Sequence, residues 1–116
     1  MITIEIPTLP PSTNHAYYFG GKGKTFMTKA GKEFKELVRL ISISKMNNNH
    51  MLEGRLRIRF DLYFKNKRKS DVDNRIKICL DSLQKIVFEN DSQIDELTIV
   101  RKYGEPEKTI IEVEEI

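Results

Sequence analysis

The chain has one cysteine, no long apolar run and little net charge, and each scarcity closes off a class of protein. With Cys79 alone, no disulfide forms within the chain and no zinc spacing exists, so a reducing cytoplasm is the expected compartment. No apolar stretch approaches the roughly 20 residues that span a membrane. The start, Met1-Ile2-Thr3-Ile4-Glu5-Ile6, alternates in polarity and has no basic leader, so no signal peptide is expected. There is no internal repeat. His15 and His50 lack metal-ligand spacing. A net charge of +3 is too weak by itself to indicate a polyanionic partner. What is there suits one domain over residues 1–116: 39% hydrophobic residues to build a core and 32% charged residues to keep it in solution.

The charge is unevenly placed. Basic residues crowd positions 55–77, while Glu105, Glu107, Glu112, Glu114 and Glu115 make the C-terminal segment acidic, which predicts one positive face. Ile2, Ile4 and Ile6 alternate with Thr3 and Glu5, a strand with one buried side that Pro7 ends. Residues 12–27 hold Asn14, Tyr17, Tyr18 and Phe19, then Gly20-Gly21-Lys22-Gly23-Lys24, and read as a long mobile loop. Its Gly23-Lys24-Thr25 end resembles part of a phosphate-binding P-loop, but that pattern needs glycine where this chain has Tyr18, so the reading is rejected. Two readings of the loop stay open: aromatics and lysines that stack on splayed bases and grip phosphates, or tyrosines that cover the edge of the core. Thr28 caps a predicted helix to about Met46, with Ala30, Phe34, Leu37, Val38 and Ile41 on its apolar stripe.

Residues 55–64 alternate most clearly. Leu56, Ile58, Phe60, Leu62 and Phe64 face one way and Arg55, Arg57, Arg59, Asp61 and Tyr63 the other. The arginine side reads as the solvated side of a sheet ahead of a nucleic-acid surface. A second helix is predicted over 71–88, burying Ile76, Leu80, Leu83 and Val87, with Cys79 a small core residue beside them. Strands at 97–103 and 109–116, joined at Gly104-Glu105-Pro106-Glu107, read as a hairpin. The order strand, helix, strand, helix, strand, strand predicts an α/β or α+β fold, a mixed sheet with two helices packed on it.

Chemistry concentrates in Ser70-Asp71-Val72-Asp73-Asn74-Arg75-Ile76-Lys77, which follows the basic run Lys65, Lys67, Arg68, Lys69. Carboxylates inside a basic surround suit a divalent metal, which takes hard oxygen ligands, and then a polyanion such as a nucleic-acid backbone. If the chain is extended at Val72, Asp71 and Asp73 point the same way and can share an ion. The plainer reading is a helix start: Ser70-x-x-Asp73 is close to a capping box, and Asp73 with Lys77 is an ordinary surface pair. Asp91 lies beyond the far end of the predicted helix, roughly 25 Å away at 1.5 Å per residue, and joins the site only if the chain turns back.

Asp71-x-Asp73-Asn74-x-x-Lys77-x-x-x-Asp81, followed by Asp91-x-Gln93-Ile94, resembles the RusA-type Holliday-junction resolvases of bacteria and phages. Pro10-Pro11-Ser12-x-Asn14 is similar to that family's N-terminal motif, so the resemblance covers nearly the whole chain. It implies a homodimeric, Mg²⁺-dependent endonuclease, with Mn²⁺ able to substitute, that cuts four-way DNA junctions symmetrically in recombination and repair. By matching motif, Asp71, Asp73 and Asp91 are the catalytic carboxylates and metal ligands, and Lys77 is a catalytic or phosphate-contacting lysine. Lys65, Lys67, Arg68 and Lys69, with Asn14, Lys22 and Lys24, are the candidate DNA contacts. One departure is Asn90, where the family often has a first acidic residue ahead of the one matched by Asp91. Asp81 matches a family position but also suits a pair with Lys77 or Lys85. Two other functions compete: a non-catalytic nucleic-acid-binding module whose acidic residues only cap a helix, and a nuclease of the same chemistry acting on flaps or RNA.

Overall fold

The alternation over residues 56–64 sets the centre of the fold. The computed structural model describes residues 1–47, 49–67 and 71–116, and β4 (Leu56–Phe64) is an inner strand of its four-stranded sheet. The inward residues Leu56, Ile58, Phe60, Leu62 and Phe64 are all completely buried. On one side β4 pairs antiparallel with β6 (Lys108–Glu115), which in turn carries β1 (Ile2–Ile6). On the other it pairs in parallel with β5 (Ile94–Tyr103), the sheet edge. Parallel neighbours need a crossover, and α3 (Ile76–Leu83) lies within it. The mixed sheet and the order of its strands and covering helices agree with the sequence expectation.

Helix α2 (Lys29–Met46) begins where the sequence places it, the Thr28 hydroxyl accepting the Gly31 N–H at 3.1 Å. Its buried residues are Gly31, Phe34, Val38, Ser42 and Met46. The expected stripe started one residue early, since Ala30 is exposed. Gly31 faces inward because the helix passes so close to Ala16 that a Cβ there would lie 2.3 Å from the Ala16 carbonyl oxygen.

Residues 12–27 are not the expected open loop. They form the short helix α1 (Thr13–Ala16), strands β2 (Tyr17–Phe19) and β3 (Thr25–Met27), and a 3₁₀ turn at Gly21–Gly23 between them. β2 and β3 pair as a separate antiparallel hairpin. Thr28 closes its base, its N–H donating to the Ala16 carbonyl at 2.8 Å and its hydroxyl to the His15 carbonyl at 2.6 Å.

The second helix also differs. α3 stops at Leu83 rather than near 88, because Gln84 is extended and Lys85 takes a left-handed φ of 72°. The chain then folds back, with the Lys85 N–H donating to the Phe88 carbonyl at 2.7 Å. Val87 is buried as expected, but through this turn rather than through a helix face. The last two strands run from Ile94 and from Lys108, each starting earlier than the sequence suggests, and they are not the expected hairpin: β4 lies between them and pairs with both.

The arginine face of β4 is the uncovered side of the sheet, and its charges are paired there. Arg55 bonds Asp95 at 2.6 Å, Arg57 bonds Glu96 and Glu114, and the buried Asp61 takes Arg59 at 3.0 Å and Lys102 at 3.3 Å. That agrees with the solvated reading.

Candidate active site

The Asp71–Lys77 stretch starts its helix in two steps. Val72 is already in the right-handed helical region, a 3₁₀ turn spans Asp73–Arg75, and α3 takes over at Ile76. The chain is therefore not extended at Val72, and the shared-ion argument from simple alternation does not apply. Ser70, the residue of the expected capping box, lies outside the described residues, as do Arg68 and Lys69. No side chain caps the 3₁₀ turn. Asp71 and Asp73 are both exposed, and among the described residues neither carboxylate has a hydrogen-bond or ion-pair partner. Neither accepts a backbone N–H as a cap would, and Lys77 pairs with Asp81 rather than with Asp73; Asp73 does stand in the first turn of the 3₁₀ segment, where a helix dipole favours a carboxylate.

The N-terminal motif packs directly on this start. The Thr13 hydroxyl donates to the Asn74 carbonyl at 3.0 Å, and Arg75 Nη1 donates to the Pro10 carbonyl at 2.6 Å. Sequence positions some 60 apart thereby become one surface, with Asn14 exposed on α1. Ser12 Oγ and His15 Nδ1, 2.7 Å apart, brace the same short helix.

Lys77 is held from two sides. Its ammonium lies 3.0 Å from Asp81 Oδ2 and 4.8 Å from the centre of the Tyr17 ring. The Tyr17 hydroxyl donates to that same Asp81 oxygen at 2.6 Å. Burial, with the Asp81 carboxylate beside it, pushes the Tyr17 phenol well above its usual range, so it remains a donor at any ordinary pH. Asp81 thus pairs with Lys77 and not with Lys85, which bonds Glu89 instead. Sequence reasoning missed Tyr17 as part of this site, because nothing local marks which of four tyrosines reaches a helix 64 residues downstream.

Asp91 stands apart. It opens a 3₁₀ turn, Asp91–Gln93, immediately before β5. Asn90, not Asp91, caps that turn, its side chain accepting the Ser92 N–H at 2.9 Å. Gln93 fastens the turn to the chain before β4, donating to the carbonyls of Leu52 at 2.9 Å and Gly54 at 3.0 Å and accepting the Asn90 N–H at 3.0 Å. The Asp91 carboxylate is exposed and, among the described residues, unpartnered. Because β4 and β5 are parallel and Leu56 pairs with Ile94, Asp91 sits at the start of β4, whereas Asp71 and Asp73 follow its end. The eight steps from Leu56 to Phe64, at about 3.3 Å each, put the two groups roughly 25 Å apart within one chain. Among the described residues no three metal-ligating side chains cluster.

Of the expected DNA contacts, Lys65 and Lys67 are exposed beyond the end of β4, with Lys67 5.7 Å from the Tyr103 ring centre. Lys22 and Lys24 are exposed on the β2–β3 turn. The hairpin that carries Lys22 and Lys24 is joined to this region at its base, where the Tyr17 ring lies 4.8 Å from the Lys77 ammonium. No helix among the described residues is long and apolar enough to cross a membrane.

The whole of this surface falls inside one family match. The family described as "Endodeoxyribonuclease RusA" matches residues 7–114. The chain is similar to the crossover junction endodeoxyribonuclease RusA of Escherichia coli K12, 29% identical over 116 residues, with 91% of this chain and 92% of the relative covered. It is similar also to the crossover junction endodeoxyribonuclease of Enterobacteria phage 82, 31% identical over 113 residues with the same shares covered.

Proposed function

We propose, from the premise that the chain belongs to the RusA family of endodeoxyribonucleases, that it resolves four-way DNA junctions by paired cleavage of phosphodiester bonds, as the names of its relatives state for them. One observation carries the reading. The Asp71–Lys77 start is locked to the N-terminal motif, yet its two carboxylates are left exposed and unpartnered among the described residues.

The donor set suits Mg²⁺ or Mn²⁺. Asp71, Asp73 and Asp91 offer hard carboxylate oxygens that no described side chain occupies. Such an ion, when bound, neutralises phosphate charge and lowers the pKa of water. The chain's own part is positioning. Lys77, braced by Asp81 and the Tyr17 ring, offers its ammonium to a phosphate oxygen, where charge builds up in the transition state. Lys65, Lys67, Asn14, Lys22 and Lys24 hold the strand on either side, with Arg68 and Lys69 of the same basic run completing the track by sequence.

A single chain cannot bring Asp91 to Asp71 and Asp73, so a homodimer is part of the proposal. β5 is the open sheet edge, ten residues long, with Leu97 45% exposed on it. Asp91 lies at one end of this strand and the Asp71–Asp73 turn at the other. A two-fold axis through its middle reverses the partner strand and sets each chain's Asp91 beside the other's Asp71 and Asp73. Two equivalent sites then face a substrate that needs two symmetric cuts.

The test is cleavage of a synthetic four-way junction and of linear duplex, with and without Mg²⁺. Wild type gives paired symmetric nicks on the junction alone; Asp73→Asn and Asp91→Asn homodimers give none but still bind. When the two mutants are mixed and exchange subunits, each mixed dimer regains one intact site and nicks one strand. Full cleavage by Asp73→Asn refutes the role of the carboxylates. Verified subunit exchange without nicking refutes the shared site.

A further inference from the structure

The β2–β3 hairpin exposes aromatic rings on both its faces, and nothing in the cleavage chemistry uses them. Successive strand residues face opposite ways. Tyr17 points inward at 7% exposure, and Tyr18 therefore points outward, at 53%. Tyr18 is stacked on its cross-strand partner Phe26, ring centres 5.2 Å apart and planes 20° apart. Phe19 returns to the Tyr17 side but lies past the edge of the core, 69% exposed. The Phe26 ring lies over Gly20, where a Cβ would come within 2.8 Å of it. Three large rings in solvent on a hairpin of six strand residues are costly unless something covers them.

The surrounding charge says what. Residues 6–32 contain Lys22, Lys24, Lys29 and Lys32 and no carboxylate at all. A protein partner is matched by mixed charge, whereas exposed rings on a segment whose own charged residues are all lysines suit nucleic acid with accessible bases. In linear duplex the base faces are stacked on one another. They become available where strands exchange, at the crossover of a branched junction.

The hairpin is also fixed to the catalytic lysine. Tyr17, the first residue of β2, touches both Lys77 and Asp81, and Phe19 is two residues on, about 7 Å along the strand. We propose that Phe19, with the Tyr18–Phe26 pair behind it, is a stacking wedge that engages unstacked base faces at the crossover of branched DNA and so sets which phosphate lies under Lys77. This rests on the endonuclease reading above and adds to it the basis of structure selectivity.

The chain contains no tryptophan, so Phe19→Trp introduces a unique reporter at the exposed position. In an Asp73→Asn background, which keeps the DNA intact, four-way junction quenches its fluorescence and linear duplex of the same sequence does not. Phe19→Ala weakens junction binding by roughly five- to a hundred-fold, the range of one lost base stack, and leaves duplex binding unchanged. Phe19→Tyr restores junction binding. An unaltered tryptophan signal on bound junction, with Phe19→Ala binding as wild type does, overturns the wedge while leaving the endonuclease reading intact. Wild type that fails to bind junction overturns both. Blue-shifted tryptophan emission in the free protein that reddens on dilution assigns the rings to contact between copies, and overturns the wedge as well.

Discussion

Replacing Tyr17 with phenylalanine removes one oxygen atom and isolates the brace behind Lys77. The hydroxyl lies 2.6 Å from Asp81 Oδ2, a short bond to an ionised acceptor, and the residue is 7% exposed. Bonds of that kind contribute about 1.5–3 kcal/mol. The lower end applies here, because Asp81 keeps Lys77 at 3.0 Å and its side chain is 29% exposed, so water replaces part of what is lost. Tyr17→Phe should therefore lower the unfolding free energy by about 1.5 kcal/mol, read as a lower urea midpoint at unchanged slope. A double-mutant cycle with Asp81→Asn should give a coupling of about 1 kcal/mol between the two positions. In single-turnover cleavage Tyr17→Phe should fall roughly tenfold, which corresponds to about 1.4 kcal/mol of lost transition-state positioning, with junction affinity unchanged. An unchanged midpoint together with zero coupling would refute the brace. A stability loss with unchanged cleavage would refute its link to Lys77.

Two further outcomes follow from packing. Gly31→Ala must move α2 away from Ala16 against a 2.3 Å approach to backbone, so it should destabilise by about 1–3 kcal/mol in urea unfolding even though alanine favours a helix; a stabilised variant would contradict the close approach. Burial pushes the Cys79 thiol well above its ordinary value near 9.0. The unfolded chain then releases that proton above about pH 9 while the folded chain keeps it, so stability falls as pH rises, by about 1.4 kcal/mol per pH unit from this group. Cys79→Ala should flatten that part of an alkaline unfolding series, and a slope equal to wild type would contradict it.

The legible parts of this sequence are those in which neighbours along the chain decide the outcome. The β4 alternation and the Thr28 cap of α2 are local, and both stand where the pattern puts them. The hairpin at 17–27 was not legible, because glycines argue for a loop and its base is closed by Thr28 reaching back to His15 and Ala16. The early end of α3 was masked by Val87, which keeps the helical spacing although the left-handed Lys85 has already turned the chain. Within the site, the spacing from Asp71 to Lys77 marked the stretch that the N-terminal motif packs on. The position of Asp91 depended on strand order, which no motif encodes. The parallel pairing of β4 with β5 puts it at the far end of the sheet.

The paired charges on the open side of the sheet also shape how the molecule meets a polyelectrolyte. Arg55, Arg57, Arg59 and Lys102 all have carboxylates against them, and Lys108 reaches Glu5 at 3.3 Å. That side therefore projects little field, and exposed lysines with no such partner among the described residues stand elsewhere, Lys22 and Lys24 on the hairpin among them. A modest net charge becomes a directional moment. A protein tumbling near DNA experiences a torque before it experiences a contact, and it arrives facing the strand it is built to cut.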